Sequence, residues 1–449
     1  MNWVIWEVRA IKKSVIVYTL GCKVNQVESE NIKLQFANCG YEPLGAGEKA
    51  DVFVVNTCAV THVSERKSRA ALRRAKRKNP EALVVATGCL AQIAPGMLAS
   101  MPEVDMVVGK SAKDRIAELV QLHGDRGAKT VFVGEISDEP LRPGSWCLPA
   151  YERTRAFVKI QDGCDSYCSY CIVPYARGPV RSKPPDDVVY EIDWLVGSGF
   201  KEIVITGIHT GMYGKDLTDC NLAKLLKKIL AEVPGDYRVR LSSLEPTEVS
   251  DELIDLVAGE EKLCRHFHVP LQSGSDRVLR LMNRVYTRRF YESLIKKIVK
   301  RIPGVGIKSD VMVGFPTETE EDFGQTKGLI EELPFAGLHV FPYSPRPKTP
   351  ASTLYPQVQA EAKAERSREL LELARQKRQS FIESCSGQTF SVLVEDIDEG
   401  RKCEGLTDNY IRAEFTGEEA FLGRFVSLRL SVSAQSVSWQ VVNDDTGRS

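Results

Sequence analysis

The sequence has no excess of charge of either sign and no long hydrophobic run. Its 449 residues carry 60 Lys and Arg against 60 Asp and Glu, so the formal net charge is zero. Any nucleic-acid binding must therefore come from local basic patches rather than from overall charge. No stretch approaches the ~20 apolar residues of a membrane span. We expect no membrane insertion.

An export signal is also missing from the start of the sequence. The apolar positions of MNWVIWEVRAIKK, residues 1–13, are too few and too interrupted for a signal peptide. The 12 Cys would suggest disulfides in a secreted protein, whereas a cytosolic protein keeps its thiols reduced and available to metals. We therefore expect a cytoplasmic protein, long enough for about three domains.

Thiols are most crowded in the run QDGCDSYCSYC, residues 161–171. Cys164, Cys168 and Cys171 lie at spacings of four and then three, which allows them to surround one metal centre. A [4Fe-4S] cluster normally takes four thiolates, so three would leave one iron free for another ligand. The alternatives are a zinc knuckle and buried structural thiols. Structural zinc usually takes four ligands in pairs, and no obvious fourth follows.

Residues 14–125 alternate short apolar runs with helical patterns. Near-continuous apolar strands separated by helices favour a parallel sheet that is covered on both faces, that is, a doubly wound α/β domain. The predicted elements are strands at Ser14–Leu20, Asp51–Asn56 and Ala82–Thr87, and helices at Asn25–Asn38 and 62–78.

Three further Cys occupy matching positions, one or two residues past these predicted strands. Cys22, Cys58 and Cys89 occur in LGC, NTC and TGC. The carboxyl ends of parallel strands open onto one edge of a sheet, where ligands bind. Any one of these residues alone would be more simply explained as a buried packing residue. The repeated placement predicts a second iron–sulfur site with three Cys ligands.

The predicted helix after Cys58 is strongly basic. A solvated face is the usual explanation for such a run, but in a neutral protein a surface that binds phosphates is at least as good an explanation. The basic residues are Arg66, Lys67, Arg69, Arg73, Arg74, Lys76, Arg77 and Lys78.

A Pro- and Gly-containing stretch at 126–150 predicts a linker, after which a second strand–helix series begins. Six units indicate an incomplete (β/α)6 barrel rather than a closed eightfold one. The predicted strands are Arg155–Ile160, Glu202–Ile205, Tyr237–Leu241, Cys264–Val269, Gly306–Val313 and Ala336–Phe341, and helices include Pro185–Val196, Leu222–Val233, Arg288–Arg301 and Glu318–Leu333.

Polar or Gly-containing loops follow nearly every predicted barrel strand, where barrels place their chemistry. Gly207 permits close backbone approach to a ligand or simply serves a turn. Glu245 and Gln272 are candidates for holding a bound cofactor. His266 and His268 alternate in one strand and therefore face the same side; we interpret them as residues that fill the barrel, although a metal pair is conceivable.

The carboxyl-terminal part combines a charged helix at 360–380 with five short predicted strands. These are Thr389–Val394, Lys402–Leu406, Tyr410–Phe415, Arg424–Leu430 and Val437–Val441. They predict a small antiparallel barrel of the oligonucleotide-binding sort. Tyr410, Arg412 and Phe415 are candidates for RNA contact, with core packing as the alternative, especially for Phe415.

Seven segments of the chain, taken in order, resemble the radical S-adenosylmethionine (SAM) methylthiotransferases. They are TLGCKVN, NTCAVT, TGCLAQ, GCDSYCSYC, QSGS, VGFPTET and HVFPYSPR. The resemblance implies an amino-terminal methylthiotransferase domain at 12–126, a radical SAM core at 150–378 and a TRAM domain at 379–443. The first dozen residues precede the usual start of the family.

The residues of three motifs favour one branch of that family. LGCKVN, GIHTGMYG and HVFPYSPRPKTPA resemble the enzymes that methylthiolate N6-threonylcarbamoyladenosine 3′ to the tRNA anticodon. The alternatives are the isopentenyl-adenosine branch and the branch that modifies an aspartate of a ribosomal protein. A tRNA-binding protein with structural metal is a further alternative, which the intact CxxxCxxC motif disfavours.

The resemblance also implies the cofactors and partners. We expect SAM and two [4Fe-4S] clusters, one held by Cys22, Cys58 and Cys89 and one by the CxxxCxxC cysteines. Tyr170 is expected near the second cluster and the SAM adenine, with Gly207, Glu245 and Gln272 as further cofactor contacts. The expected partners are a threonylcarbamoylated tRNA and an electron donor such as a flavodoxin or ferredoxin. The expected state is a monomer.

Overall fold

The computed structural model describes residues 13–45, 47–123, 128–136, 154–433 and 436–442. These residues divide into two units: the first contains the described residues up to 136 with the short segment 175–178, and the second contains the other described residues. The predicted domain limits at 12, 126, 150 and 443 lie outside the described residues. The limit at 378/379 stays a prediction.

The first unit is built on a six-stranded, wholly parallel sheet with the order β2-β1-β3-β4-β5-β6. Its strands are β1 Ser14–Thr19, β2 Glu42–Pro43, β3 Val52–Thr57, β4 Leu83–Gly88, β5 Met106–Val108 and β6 Thr130–Phe132. The central strands β3 and β4 are buried on both faces, as their apolar runs predict. Strand β6 lies within the segment 126–150 that we predicted as a linker, so that prediction is wrong at its start.

Helices cover both faces of this sheet. They are α1 Lys23–Asn38, α2 His62–Lys78, α3 Cys89–Ile93, α4 Pro95–Ala99 and α5 Ile116–His123. Helices α1 and α5 bury Ile32, Phe36 and Ile116 in one apolar cluster with strand residues, and α2 buries Leu72 completely. Helix α2 begins where Thr61 accepts a hydrogen bond from the Ser64 backbone N–H, because the hydroxyl satisfies a free amide of the first turn.

The second unit contains a curved series of six parallel strands. Two three-stranded parallel sheets, β7-β10-β11 and β12-β13-β14, are joined by parallel bridges at Val239–Leu263 and Ser243–His268. A short antiparallel pair, β8-β9, stands apart. The strands are β7 Arg155–Lys159, β8 Gln161–Asp162, β9 Arg181–Ser182, β10 Glu202–Thr206, β11 Arg238–Leu241, β12 His266–His268, β13 Gly306–Val313 and β14 Gly337–Pro342.

The remaining helices are α6 Val173–Arg177, α7 Pro185–Gly197, α8 Leu222–Glu232, α9 Asp251–Gly259, α10 Asp276–Leu281, α11 Arg288–Arg301, α12 Glu320–Glu332 and α13 Ala360–Ser384. Helices α7 to α13 of the second unit contribute to one large apolar core with these strands, whereas the short helix α6 lies where the chain passes between the two units. The predicted partial (β/α)6 barrel is confirmed, and α11 and β13 agree with their predicted limits. No helix in the described ranges is long and apolar enough to cross a membrane.

A five-stranded antiparallel sheet follows α13, with the order β17-β16-β15-β18-β19. It curves into a nearly closed barrel around buried residues such as Phe390, Leu428 and Phe415, so Phe415 is a core residue. The strands are β15 Thr389–Ile397, β16 Lys402–Thr407, β17 Arg412–Thr416, β18 Phe425–Val432 and β19 Val437–Val441.

Tyr410 does not begin a strand as predicted, because it sits in the turn before β17 with φ +76°. Its ring stacks on His266 of the partial barrel at 4.6 Å between centroids, and Lys308 lies 3.5 Å from the ring centroid. The structure therefore uses Tyr410 to pack the small barrel against the large one. Arg412 is exposed and pairs with Glu404 at 2.6 Å.

Candidate metal and cofactor sites

Three thiols of the first unit lie at one edge of its sheet. Cys22 follows β1 and precedes α1, Cys58 follows β3, and Cys89 is the first residue of α3, directly after β4. Cys58 and Cys89 are buried and Cys22 is exposed. Burial raises the pKa of the Cys58 thiol, and Cys89 and Cys22 are near enough to raise that pKa further. The structure thus brings together the three thiols that the sequence placed after successive strands.

Two glycines allow this approach. Gly21 has φ +106°, and a Cβ there would lie 3.2 Å from Cys58 Sγ. Gly88 has φ +93°, and a Cβ there would lie 2.5 Å from the Thr57 carbonyl oxygen. Both conformations favour glycine. The glycine before Cys22 and the one before Cys89 are therefore requirements of the thiol arrangement.

Side-chain hydrogen bonds tie the loops of this site together. Asn25 Nδ2 donates to the carbonyl oxygens of Leu20 at 2.6 Å and Thr57 at 3.2 Å, which precede Cys22 and Cys58. Arg177, in the segment 175–178 of the same unit, donates to Asn25 Oδ1 and pairs with buried Glu28 at 2.9 Å. These contacts fix the positions of two of the three thiol-bearing loops.

In the second unit, Cys164, Cys168 and Cys171 occupy the loop after β8. They influence one another electrostatically, so they lie close together. Burial raises the pKa of the Cys171 thiol to about 12. Burial also raises the pKa of the Cys168 thiol, so these two thiols are disfavoured as free thiolates, but they suit a cationic metal centre that stabilises the thiolate form.

His209 connects this loop to the segment after β10. Its Nδ1 lies 3.3 Å from Cys164 Sγ, and its Nε2 lies 2.6 Å from Glu248 Oε1. Burial acts to lower the pKa of His209, but Cys164 and Glu248 raise that pKa to about 10. Burial alone would raise the pKa of Cys164, but the hydrogen bond from His209 contributes to a net lowering.

Arg284 connects the same loop to Glu245. Its Nη1 lies 3.3 Å from Cys168 Sγ, and its Nη2 binds Glu245 Oε2. Its guanidinium also lies 5.1 Å from the ring centroid of Tyr286. Burial acts to lower the pKa of Arg284, but the electrostatic effects of its neighbours outweigh burial and raise that pKa well above its usual value. A cation thus faces the thiol loop from the barrel.

Matches to two protein families cover much of the chain. Residues 158–330 match the Radical SAM superfamily, and residues 14–109 match a family described as uncharacterized protein family UPF0004. The first match contains all three CxxxCxxC thiols, and the second contains Cys22, Cys58 and Cys89. Each family match therefore coincides with one of the two thiol clusters.

Similar proteins extend over nearly the whole length. A threonylcarbamoyladenosine tRNA methylthiotransferase MtaB of Bacillus subtilis (strain 168) is 39% identical over 427 residues, 93% of each chain. The protein of the same name from Aquifex aeolicus (strain VF5) is 44% identical over 393 residues, 88% of this chain and 94% of its own. The chain belongs to the radical SAM methylthiotransferase family.

Other relatives of this methylthiotransferase carry a different name. A tRNA-2-methylthio-N(6)-dimethylallyladenosine synthase of Clostridium perfringens is 36% identical over 440 residues, 95% of this chain and 97% of its own. Among solved structures, the radical SAM methyltransferase TsrM of Kitasatospora setae has a TM-score of 0.54 at 17% identity, covering 76% of this chain and 75% of its own. At that identity the likeness shows the fold alone.

The residues of the methylthiotransferase fit a polar cofactor at the carboxyl edge of the barrel. Four side-chain atoms there are buried and, within the part of the chain that the structure describes, have no hydrogen-bond partner. Buried polar groups are normally paired, so a bound ligand is the simplest partner for them. The atoms follow four different strands and are Thr210 Oγ1, Ser242 Oγ, Gln272 Oε1 and Tyr343 OH.

Of the predicted cofactor residues, Gln272 fits best. It holds a left-handed backbone conformation, φ +61°, that is costly for a non-glycine residue and concentrates at functional sites. Tyr170 packs against the apolar cluster of Met312, Phe315 and Tyr343, next to the same edge. At Gly207, a Cβ would lie 2.9 Å from Gln161 Oε1. The lack of a side chain at this position therefore leaves room for Gln161.

The basic helix α2 is only partly neutralised. Arg69 pairs with Glu65, Arg73 with Glu103 and Lys76 with Asp105. Four exposed cations of the helix have no ion pair in the described structure, and they form a basic face on the helix that begins four residues after Cys58. They are Arg66, Lys67, Arg74 and Arg77.

Sequence reasoning missed His209, Glu248 and Arg284. They lie 45 to 116 residues from the cysteines they serve, and none belongs to a motif that contains Cys. The only signal for His209 was its place in GIHTGMYG, a polar loop after a barrel strand.

Proposed function

We propose that this enzyme replaces the C2 hydrogen of N6-threonylcarbamoyladenosine at position 37 of tRNA with a methylthio group, giving the 2-methylthio derivative. The observation that carries the proposal is the identity of 39–44% to two threonylcarbamoyladenosine tRNA methylthiotransferases, over 88% or more of this chain. The adenine C2–H is neither acidic nor hydridic, so a side-chain base would not activate it. The reaction needs a cofactor that the protein positions.

We propose two [4Fe-4S] clusters as these cofactors, together with two SAM per product. Cys22, Cys58 and Cys89 hold one cluster, and the CxxxCxxC thiols hold the other. Three thiolates per cluster leave one iron open in each. When bound, the clusters and SAM supply the one-electron chemistry and the sulfur that the C2 position requires. The crowding of three thiols within each unit, described above, supports this assignment.

The surrounding residues then act on the bound groups. His209, held by Glu248, donates toward Cys164, and Arg284, held by Glu245, donates toward Cys168; such hydrogen bonds to thiolates tune a cluster. Gln272 offers its unpaired amide oxygen to SAM, and Tyr170 provides an apolar wall beside it. Gln161 holds the thiol loop through hydrogen bonds to the carbonyl oxygens of residues 162 and 163 at 2.8 and 2.7 Å.

The four unpaired cations of α2 are proposed to bind the phosphates of the tRNA. They provide the local positive surface that a neutral chain needs for this purpose. We further propose a cytosolic monomer that receives electrons from a flavodoxin or a ferredoxin.

The second candidate substrate is N6-isopentenyladenosine. It is favoured by the relative from Clostridium perfringens, which is 36% identical and is named a tRNA-2-methylthio-N(6)-dimethylallyladenosine synthase. Its apolar N6 substituent differs in kind from the threonylcarbamoyl group, which carries a carboxylate and a hydroxyl. The two candidates are therefore separable by a single analysis of nucleosides.

The test is mass spectrometry of nucleosides from the tRNA of a strain that lacks this gene. Loss of 2-methylthio-N6-threonylcarbamoyladenosine, with accumulation of its precursor and restoration by the intact gene but not by a Cys58→Ala gene, supports the proposal. Loss of the isopentenyl counterpart instead would overturn the choice of substrate.

A further inference from the structure

A cluster of two histidines and one aspartate lies on the inner face of the partial barrel, outside the cofactor contacts assigned above. His268 is the last residue of β12, Asp310 belongs to β13, and His339 belongs to β14. Side chains alternate along a strand. The neighbours Phe267, Val311 and Leu338 belong to the core beneath the helices, so His268, Asp310 and His339 face the barrel interior.

Asp310 holds both imidazoles of this cluster. Its Oδ2 lies 3.0 Å from His268 Nε2, and its Oδ1 lies 3.3 Å from His339 Nδ1. Burial acts to raise the pKa of the Asp310 carboxyl, but hydrogen bonds from His268 and His339 hold that pKa well below its usual value. The carboxylate is therefore ionised, and it lies within ion-pair distance of both histidines.

The three residues differ in exposure. The side chains of His268 and Asp310 are 16% and 22% exposed, whereas that of His339 is 68% exposed. In the described structure, Nδ1 of His339 is engaged by Asp310 and no hydrogen-bond partner is found for its Nε2. His339 thus presents one oriented ring nitrogen to a ligand.

The cluster adjoins the proposed SAM site. The Gln272 backbone N–H donates to the Asp310 carbonyl oxygen at 2.8 Å, and the Met312 N–H donates to the Gln272 carbonyl oxygen at 2.9 Å. Asp310 is therefore in register with Gln272, whose unpaired amide oxygen we propose as a SAM contact. The side chains of the cluster therefore lie beside a proposed SAM contact at the same part of β13.

We infer that His339, oriented by Asp310 and backed by His268, binds the carboxylate of the threonylcarbamoyl group on the target adenosine. This inference rests on the proposed function and names the residue that distinguishes its substrate. Because Nδ1 faces the Asp310 carboxylate, Nε2 donates to a second carboxylate only when both ring nitrogens carry a proton. The inference therefore requires the imidazolium form of His339, whose N–H is a charge-assisted donor to a carboxylate. An isopentenyl group has no polar atom to accept it.

A divalent metal is the competing occupant, because one ligand atom from each of the three residues lies within 4.8 Å of the others. However, each oxygen of Asp310 already faces one imidazole nitrogen, so a metal ion would have to replace both of these contacts. The test below includes this outcome.

The test compares His339→Phe with His339→Gln, which keeps an N–H donor, on two anticodon stem-loops. One carries threonylcarbamoyladenosine, and the other carries its threonyl methyl ester. We expect His339→Phe to lower kcat/KM on the free acid by about tenfold to a hundredfold, the range for losing one hydrogen bond to a charged group. We expect His339→Gln to recover part of this loss. On the ester, His339→Phe and the parent enzyme should differ little.

The matched control is His266→Gln, on the same inner face but stacked on Tyr410. It should alter thermal stability and not the ratio of rates on acid and ester. Equal melting temperatures and iron contents of parent and His339→Phe ensure that folding is not the cause. A parent enzyme inactive on the free acid overturns the proposed function. If the parent enzyme and His339→Phe are equally active on the free acid, the inference is overturned and the proposed function is not. The inference is also overturned if the parent binds a metal other than iron and His339→Phe does not.

Discussion

Replacing Gly88 with Ala should disable one thiol cluster and leave the other intact. Gly88 has φ +93° and ψ −163°, a region that is nearly exclusive to glycine and costs about 1–3 kcal/mol for other residues. The new Cβ would also lie 2.5 Å from the Thr57 carbonyl oxygen and 2.6 Å from Asn56 Oδ1. Overpacking of this kind costs about 1–3 kcal/mol more. Because Gly88 directly precedes Cys89, and Thr57 directly precedes Cys58, we expect relief of this strain to move Cys89 away from Cys58.

The assay is iron content, deoxyadenosine formation and product formation after anaerobic reconstitution. Gly88→Ala should retain about four irons of about eight, still form deoxyadenosine, and make little methylthiolated product. Two controls separate the causes. Gly40→Ala replaces a glycine with φ +84° at which a Cβ would meet no atom within 4 Å. Gly96→Ala replaces a glycine without a positive φ at which a Cβ would also meet no atom within 4 Å. Both should keep all the iron. Full iron and full product in Gly88→Ala would refute the reasoning.

Two further predictions concern stability and tRNA binding. Glu202 is fully buried and has a pKa of about 2, because Arg240 and Arg238 outweigh the effect of burial. Its folded pKa lies below its unfolded one, so its stabilisation is present above pH about 4.5 and is lost as pH falls toward about 2. Glu202→Gln should lower the free energy of unfolding by about 3–5 kcal/mol at neutral pH. In urea titrations it should also weaken the loss of stability between pH about 4.5 and about 2; an unchanged pH dependence would contradict this. Replacing Arg66, Arg74 and Arg77 together with Glu should weaken tRNA binding. It should also reduce the slope of the logarithm of the binding constant against the logarithm of the salt concentration by about three. The exposed control Arg115→Glu should leave the slope unchanged.

Much of the fold follows from patterns within the sequence. Helix α11 was predicted with its correct limits because Thr287 caps its first turn and its apolar residues recur with helical spacing. Strands β5 and β6 were missed because each has only three residues, too few to show a period. The packing of Tyr410 against His266 and Lys308 joins residues more than 100 positions apart, and no local pattern reveals it.

The two thiol clusters were predictable for a different reason. In a parallel sheet, position along the strand determines which edge a residue reaches, so three Cys after three strands had to converge. The side chains that tune them, His209 and Arg284, depend on how loops from different strands meet. The cluster around Asp310 was also missed: the sequence shows that His266 and His268 share a face, but not that only His268 meets Asp310 and His339.

The most direct test of the account is the iron and acid-labile sulfide content of the anaerobically reconstituted chain and of two triple variants. The intact chain should hold about eight irons. Replacing Cys22, Cys58 and Cys89 with Ala should leave about four, and replacing Cys164, Cys168 and Cys171 should leave the other four. Four irons in the intact chain, or zinc in place of iron at either set of thiols, would contradict the account.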